Sequence, residues 1–227
     1  MPRDKGDRAS VRLRTAKGRK TSSTRWLQRQ LNDPFVAEAK RQGYRSRAAF
    51  KLAELDDKHR FLKRGAVVLD LGAAPGGWTQ VALARGARVV AADINEFPPI
   101  EGATVAVLDV FAPDAPERIK AMLGAPADVV LSDMAPPATG HRATDHARIL
   151  ALAEAALDLA RAVLAPGGAF VVKLWQGETE PAFFAALKRD FARVVREKPP
   201  ASRADSRETY IVATGFRGAS SKSPHTG

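Results

Sequence analysis

Four acidic residues, one glycine-rich turn and one misplaced lysine are the parts of this sequence that can do chemistry. The turn lies in residues 68–78, VLDLGAAPGGW: an apolar run stops on Asp70, and Gly72, Pro75, Gly76 and Gly77 follow. Glycines between a strand and a helix let the backbone come close to a ligand. Three more apolar runs end in acids, so that Asp70, Asp93, Asp109 and Asp133 form a series. Any one strand-end acid is an ordinary cap; four in succession point to a ligand at the carboxyl ends of a sheet.

The ligand is not a phosphate. A dinucleotide site prefers G-x-G-x-x-G, which aims a helix N-terminus at a pyrophosphate. Here Gly72 is followed by Ala73, Ala74 and Pro75, and the P-loop pattern is missing as well. An acid just before the loop repels phosphate and suits a cationic, hydroxyl-rich molecule. S-adenosylmethionine has a positive sulfonium and amino group, a ribose diol, and an adenine for an apolar slot. Asp93, in the second strand, is placed for the ribose hydroxyls, and Asp109 for the adenine amino group. Methyl transfer is therefore favoured over nicotinamide-dependent redox chemistry.

Lys173 sits inside the apolar run AFVVKLW. Such a lysine is either a strand-end residue reaching solvent or a reactive group. As an ammonium it orients a hydroxyl and stabilises developing negative charge; as a neutral amine it removes a proton, which requires a depressed pKa.

Charge suggests the acceptor's class. The net charge is +11, and residues 1–64 hold 19 Lys/Arg against 7 Asp/Glu, so all the excess lies in the first quarter. An acidic polymer, nucleic acid first, is the expected partner. Arg25, Lys40, Arg41, Arg45 and Arg47 are candidates to track phosphates, and Trp26 and Tyr44 either stack on bases or pack in the core. Residues 135–148 read as a mobile lip whose His141 and His146 are solvated or face RNA; no metal site is expected. The absence of cysteine excludes disulfides and zinc-thiolate centres. No apolar run spans a bilayer, and the polar N-terminus does not look like a signal peptide, so a cytoplasmic location with no membrane partner is expected. No exposed apolar stripe is evident, which favours a monomer.

These residues need a scaffold to position them. Residues 1–24 read as a flexible basic arm, and 217–227 as a disordered tail. Asp33-Pro34 starts a helix that stops near Gly43, and a second helix follows Ser46. Strands are expected at 66–71, 87–93, 104–110, 127–133, 169–175, 191–197 and 209–216. Helices are expected from Gly77 to Ala84 and near 115–122, 145–164 and 179–189. Near-continuous apolar strands alternating with helices imply a mostly parallel α/β sheet of seven strands, covered on both faces. The short link between the last two strands makes one of them antiparallel.

SRAAFKL, DLGAAPGGW, LSDMAPPATG, FVVKLW and SRETYIV occur in that order. With the leading segment from Ser22, they make residues 22–216 resemble the FtsJ/RlmE family of ribosomal RNA 2′-O-methyltransferases. The resemblance implies a Rossmann-like fold and a catalytic set of Lys51, Asp133, Lys173 and Glu208. It implies that Gly76, Trp78, Asp93, Asp109 and Asp133 contact S-adenosylmethionine. It implies as substrate a uridine 2′-hydroxyl in the A-loop of 23S rRNA, modified on an assembled or nearly assembled large subunit. Two rivals stand beside it: the same chemistry on tRNA, and a non-catalytic RNA-binding assembly factor.

Overall fold

Side-chain alternation along the strands assigns every strand residue to one of two faces. The computed structural model describes residues 31–176, 181–203 and 205–218. The expectations for the basic arm, for Arg25 and Trp26 and for residues 219–227 lie outside them. Two helices come first, α1 (Pro34–Arg41) and α2 (Ala48–His59). Asp33 caps α1 by accepting from the Phe35 N–H at 3.0 Å, Pro34 occupies the first turn, and Lys40 and Arg41 fall in the last.

The alternating part follows: β1 (Val67–Leu71), α3 (Gly77–Ala84), β2 (Arg88–Asp93), β3 (Ala103–Val107), α4 (Ala115–Leu123), β4 (Ala127–Ser132), α5 (Arg142–Val163), β5 (Leu164–Trp175), α6 (Pro181–Asp190), β6 (Phe191–Glu197) and β7 (Glu208–Phe216). The sheet order is β3-β2-β1-β4-β5-β7-β6. β7 inserts antiparallel between β5 and β6, and the other pairings are parallel. This is a Rossmann-like sheet of seven strands.

One face carries Leu69, Leu71, Val130, Phe170, Val172, Leu174, Ile211 and Ala213 against α4, α5 and α6. The other carries Val68, Val89, Val129, Leu131, Val171 and Val212 against α2 and α3. Both faces are buried, which is why the strands read as continuous apolar runs. Among the described residues no helix is long and apolar enough to cross a membrane.

α5 begins at Arg142, three residues before its expected start, and two strand boundaries differ from the sequence reading by more than one residue. β3 ends at Val107, three residues early: it is an edge strand whose one neighbour, β2, ends at Asp93, and the last rung between them is the Leu108 N–H donating to the Asp93 carbonyl at 2.8 Å. α5 passes directly into β5 at Leu164, five residues before the strand expected at 169–175, so that Pro166, Gly167 and Gly168 fall inside β5. The register of β4 against β5 shifts between Ala127 and Val129, and this irregularity accommodates the proline and glycines.

Candidate active site

The same alternation builds a polar cluster at the carboxyl end of the sheet. Val129, Leu131 and Asp133 share a parity, as do Ala169, Val171 and Lys173, and Val212, Tyr210 and Glu208. All three series point towards α2 and α3. Lys173 and Tyr210 are paired across β5 and β7, so their side chains lie side by side. α2 crosses above them and lowers Lys51 onto the group; Lys51 is buried although it is a lysine, at 7% exposure.

The four residues matched by motif therefore meet in one hydrogen-bonded chain. Lys51 Nζ donates to Glu208 Oε2 at 2.7 Å and to the Tyr210 hydroxyl at 3.2 Å. The Tyr210 hydroxyl donates to Asp133 Oδ1 at 2.8 Å. Lys173 Nζ donates to that same Oδ1 at 3.0 Å and to the Asp133 carbonyl at 2.6 Å. Each lysine has its own carboxylate, and Tyr210 joins the two pairs.

Electrostatics keeps both carboxylates ionised. Burial raises the Asp133 pKa, but Lys173 and Lys51, with hydrogen bonds from Lys173 and Tyr210, hold it below the ordinary value. Burial likewise opposes ionisation of Glu208, and Lys51 and Lys173 reverse that. Tyr210 is pushed well above its ordinary value, by burial and then by Asp133 and Glu208, so it remains a hydroxyl that can donate.

Beside this cluster lies a cavity of about 820 Å³, whose walls include Gly72, Asp93, Ile94, Asp109, Phe111 and Asp133. That is ample for a small-molecule cofactor. Gly72 has φ +73°, and an added Cβ would stand 2.6 Å from Met134 Cγ and 2.9 Å from its backbone. Only glycine allows the β1 and β4 loops to approach this closely. Asp93 Oδ2 accepts from the Ala74 N–H at 3.0 Å, and Oδ1 accepts from the Asn95 N–H at 2.8 Å. Oδ1 also accepts from Asn95 Nδ2 at 3.1 Å, so Oδ2 is the oxygen that retains a lone pair for a further donor. Asp109 lies beyond β3 in a loop, where its Oδ1 accepts from the Phe111 N–H at 3.0 Å. Ile94 and Phe111 are 65% and 59% exposed, an uncommon state for large apolar side chains, and they make an apolar wall. Three carboxylates and an apolar slot fit a cationic, hydroxyl-bearing, aromatic ligand such as S-adenosylmethionine.

Gly76 and Trp78, expected to contact the cofactor, lie at the start of α3 and are not among the residues that line this cavity. Gly76 caps the helix with φ +115°. Trp78 is buried, donates from Nε1 to the Ala48 carbonyl at 2.9 Å, and packs on Tyr210 with ring centroids 5.6 Å apart.

Two arginines expected to track phosphates are bound within the protein. The Arg47 guanidinium pairs with Asp33 at 2.6 Å and donates to the Ala201 carbonyl, tying the loop before Glu208 to the helical segment. Arg45 donates to the carbonyls of Pro75, Pro98 and Pro99. Tyr44 packs edge-on against Phe50 at the margin of the core, and Trp175 packs on the cluster beneath α5 and α6. The lip is anchored at one end, because buried Asp145 accepts from the Thr139 hydroxyl at 2.6 Å and from the N–H groups of Thr139 and Gly140. Sequence reasoning missed Asp145. It also missed Tyr210, although Tyr210 lies two residues past Glu208 and so on the same face of β7.

Comparison with known proteins agrees with this architecture. The family model for FtsJ-like methyltransferases matches residues 44–216. The ribosomal RNA large subunit methyltransferase E of Xanthobacter autotrophicus is 59% identical over 214 residues, 92% of this chain and 84% of that protein. Its namesake from Paramagnetospirillum magneticum is 58% identical over 219 residues, 93% of this chain and 90% of that one. A solved ribosomal RNA methyltransferase from Plasmodium falciparum, 30% identical, superposes with a TM-score of 0.70 over 78% of this chain and 100% of its own. The family model and these relatives together show that the chain belongs to the FtsJ-like methyltransferase family.

Proposed function

We propose that this protein transfers a methyl group from S-adenosylmethionine to the 2′-hydroxyl of a uridine ribose in the A-loop of 23S rRNA, on an assembled or nearly assembled large subunit. The observation that carries the reading is the convergence of Lys51 and Lys173, from a helix and a strand, on one hydrogen-bonded chain beside the cavity. The names of the relatives support ribosomal RNA as the acceptor.

In this reading Asp93 holds the ribose of the cofactor, Ile94 and Phe111 its adenine, and Asp109 the adenine amino group. Gly76 and Trp78 contribute the backbone at the opening of α3, and Asp133 faces the positive end. Bound S-adenosylmethionine supplies a methyl group already activated by the sulfonium. The protein's task is then to position a weak nucleophile and manage its proton. Lys173, fixed by Asp133, meets the acceptor oxygen and stabilises its developing charge. Lys51, fixed by Glu208, approaches from the α2 side by charge-assisted hydrogen bonding.

The test is transfer of labelled methyl to undermethylated large subunits, small subunits, free large-subunit rRNA and tRNA, with mapping of the modified ribose. Label confined to one 2′-oxygen of the large subunit is expected. Label on tRNA would keep the chemistry and overturn the substrate. No label on any RNA would overturn the enzymatic reading.

A further inference from the structure

Arg45 lies in the turn between α1 and α2, in the most basic part of the chain, where an RNA contact is the ready explanation. Three of its five side-chain N–H groups are engaged within the protein. One terminal nitrogen donates to the Pro98 carbonyl at 2.5 Å and to the Pro75 carbonyl at 3.2 Å; the other donates to the Pro99 carbonyl at 2.6 Å. Pro75 belongs to the glycine loop after β1. Pro98 and Pro99 belong to the loop after β2, which begins at Asp93 and Ile94 on the cavity wall. One planar guanidinium thus bridges the two loops that border the cavity, from the side away from it.

The turn is held to the same place by its backbone. The Arg45 N–H donates to Gln80 Oε1 at 2.7 Å, and Gln80 Nε2 donates to the Gly43 carbonyl at 3.0 Å. Ser46 presses on the start of α3 so closely that a Cβ at Gly77 would lie 2.3 Å from its Oγ. A Cβ at Gly76 would lie 2.3 Å from Ile100 Cδ1 and 3.2 Å from Arg45 Cδ. The turn, the glycine loop and the second loop are packed as one body, and Lys51 follows six residues after Arg45, in the first turn of α2.

We infer that Arg45 is a positioning residue for the cofactor cavity: its fork sets the spacing of the two loops and couples that spacing to the helix bearing Lys51. The identity of the cofactor rests on the function proposed above; the fork itself does not. Three carbonyls on two separate nitrogens require the guanidinium geometry, so a lysine, which keeps the charge, does not replace it.

Arg45→Lys and Arg45→Gln separate this role from a phosphate contact. Calorimetry with S-adenosylmethionine is expected to show about tenfold weaker binding for both variants, while affinity for large-subunit rRNA stays within about twofold. The Michaelis constant for S-adenosylmethionine rises and the saturated rate is kept. Amide hydrogen exchange of the ligand-free variants is expected to accelerate in residues 72–76 and 94–100 and to stay unchanged across β4 to β7. Gln80→Ala, which leaves the guanidinium intact, gives the same changes at smaller size. Wild-type exchange in both loops, or weakened rRNA binding restored by lysine, would overturn the inference. If the wild-type protein binds no S-adenosylmethionine, the cofactor assignment falls, and the exchange measurement still decides the role of Arg45.

Discussion

Asp70 and Asp133 stand at the ends of neighbouring parallel strands and face the same two helices, yet their surroundings pull them in opposite directions. β1 and β4 are paired so that Asp70 lies beside Leu131, and the Asp133 N–H donates to the Leu71 carbonyl at 3.2 Å. Asp70 is fully buried, with Thr79 as its one side-chain donor at 2.6 Å and with Oδ1 lacking any partner. Burial, opposed by Thr79 and reinforced by Asp133 and Asp93, raises its pKa to about 7. Asp133 is held below its ordinary value because two ammonium groups face it. Burial alone therefore does not decide which acid is ionised; the nearest cation does. The β1 end of the site holds a carboxyl that changes charge near neutral pH, and the β4 end holds one that stays ionised.

Removing the cation from the charged region should break the contrast. In Lys173→Ala, Asp133 keeps its burial and loses both hydrogen bonds from Nζ. Methyl transfer is expected to fall about 10⁴-fold, while affinity for S-adenosylmethionine changes by less than about threefold. Single-turnover transfer and calorimetry measure the two. Near-normal turnover would remove Lys173 from the chemistry.

Removing the titrating group from the β1 end sharpens the contrast. A carboxyl that keeps its proton to about pH 7 when folded, against 3.8 when unfolded, stabilises the fold fully only below pH 3.8, and that contribution is lost as pH rises through 7. Asp70→Asn does not titrate. Its stability relative to the wild type should rise by about 1.4 kcal/mol per pH unit between pH 4 and 7, about 4 kcal/mol in all, and then level off. Asp133 and Glu208 carry the opposite sign: their contribution is present above the ordinary carboxylate range and is lost as pH falls through their depressed values. Urea unfolding across this range checks the prediction, and a flat difference would make Asp70 an ordinary carboxylate.

The sequence carried much of this arrangement. Lys173 inside an apolar strand stood out as either a solvent-reaching or a reactive lysine, whereas its sharing a face with Asp133 and Glu208 follows only from the register of β4, β5 and β7. The glycine loop was legible because Gly72 has no room for a side chain. The misses came from partners distant in sequence. Arg45 and Arg47 looked like phosphate contacts because nothing local shows that their acceptors are Pro75, Pro98, Pro99, Asp33 and Ala201. β3 was drawn too long because its apolar run continues past the point where the edge strand loses its neighbour. Lys51 is an ordinary helical lysine until Glu208, 157 positions away, is placed beside it.

Tyr210 tests how tightly the two lysine pairs act as one. Its hydroxyl accepts from Lys51 and donates to Asp133, so it fixes the distance between the pairs without carrying charge. Tyr210→Phe keeps the ring against Trp78 and leaves the primary salt bridges, Lys51 with Glu208 and Lys173 with Asp133, in place. Loss of one buried bridging hydroxyl is expected to cost about 1 kcal/mol of stability and about tenfold in saturated rate, with the Michaelis constant for S-adenosylmethionine unchanged. Asp133 also loses a donor, so its pKa moves slightly up towards that of Asp70. A variant with the wild-type rate would mean that each lysine works independently with its own carboxylate. A thousandfold loss would mean that the bridge, and not either pair, sets the geometry of transfer.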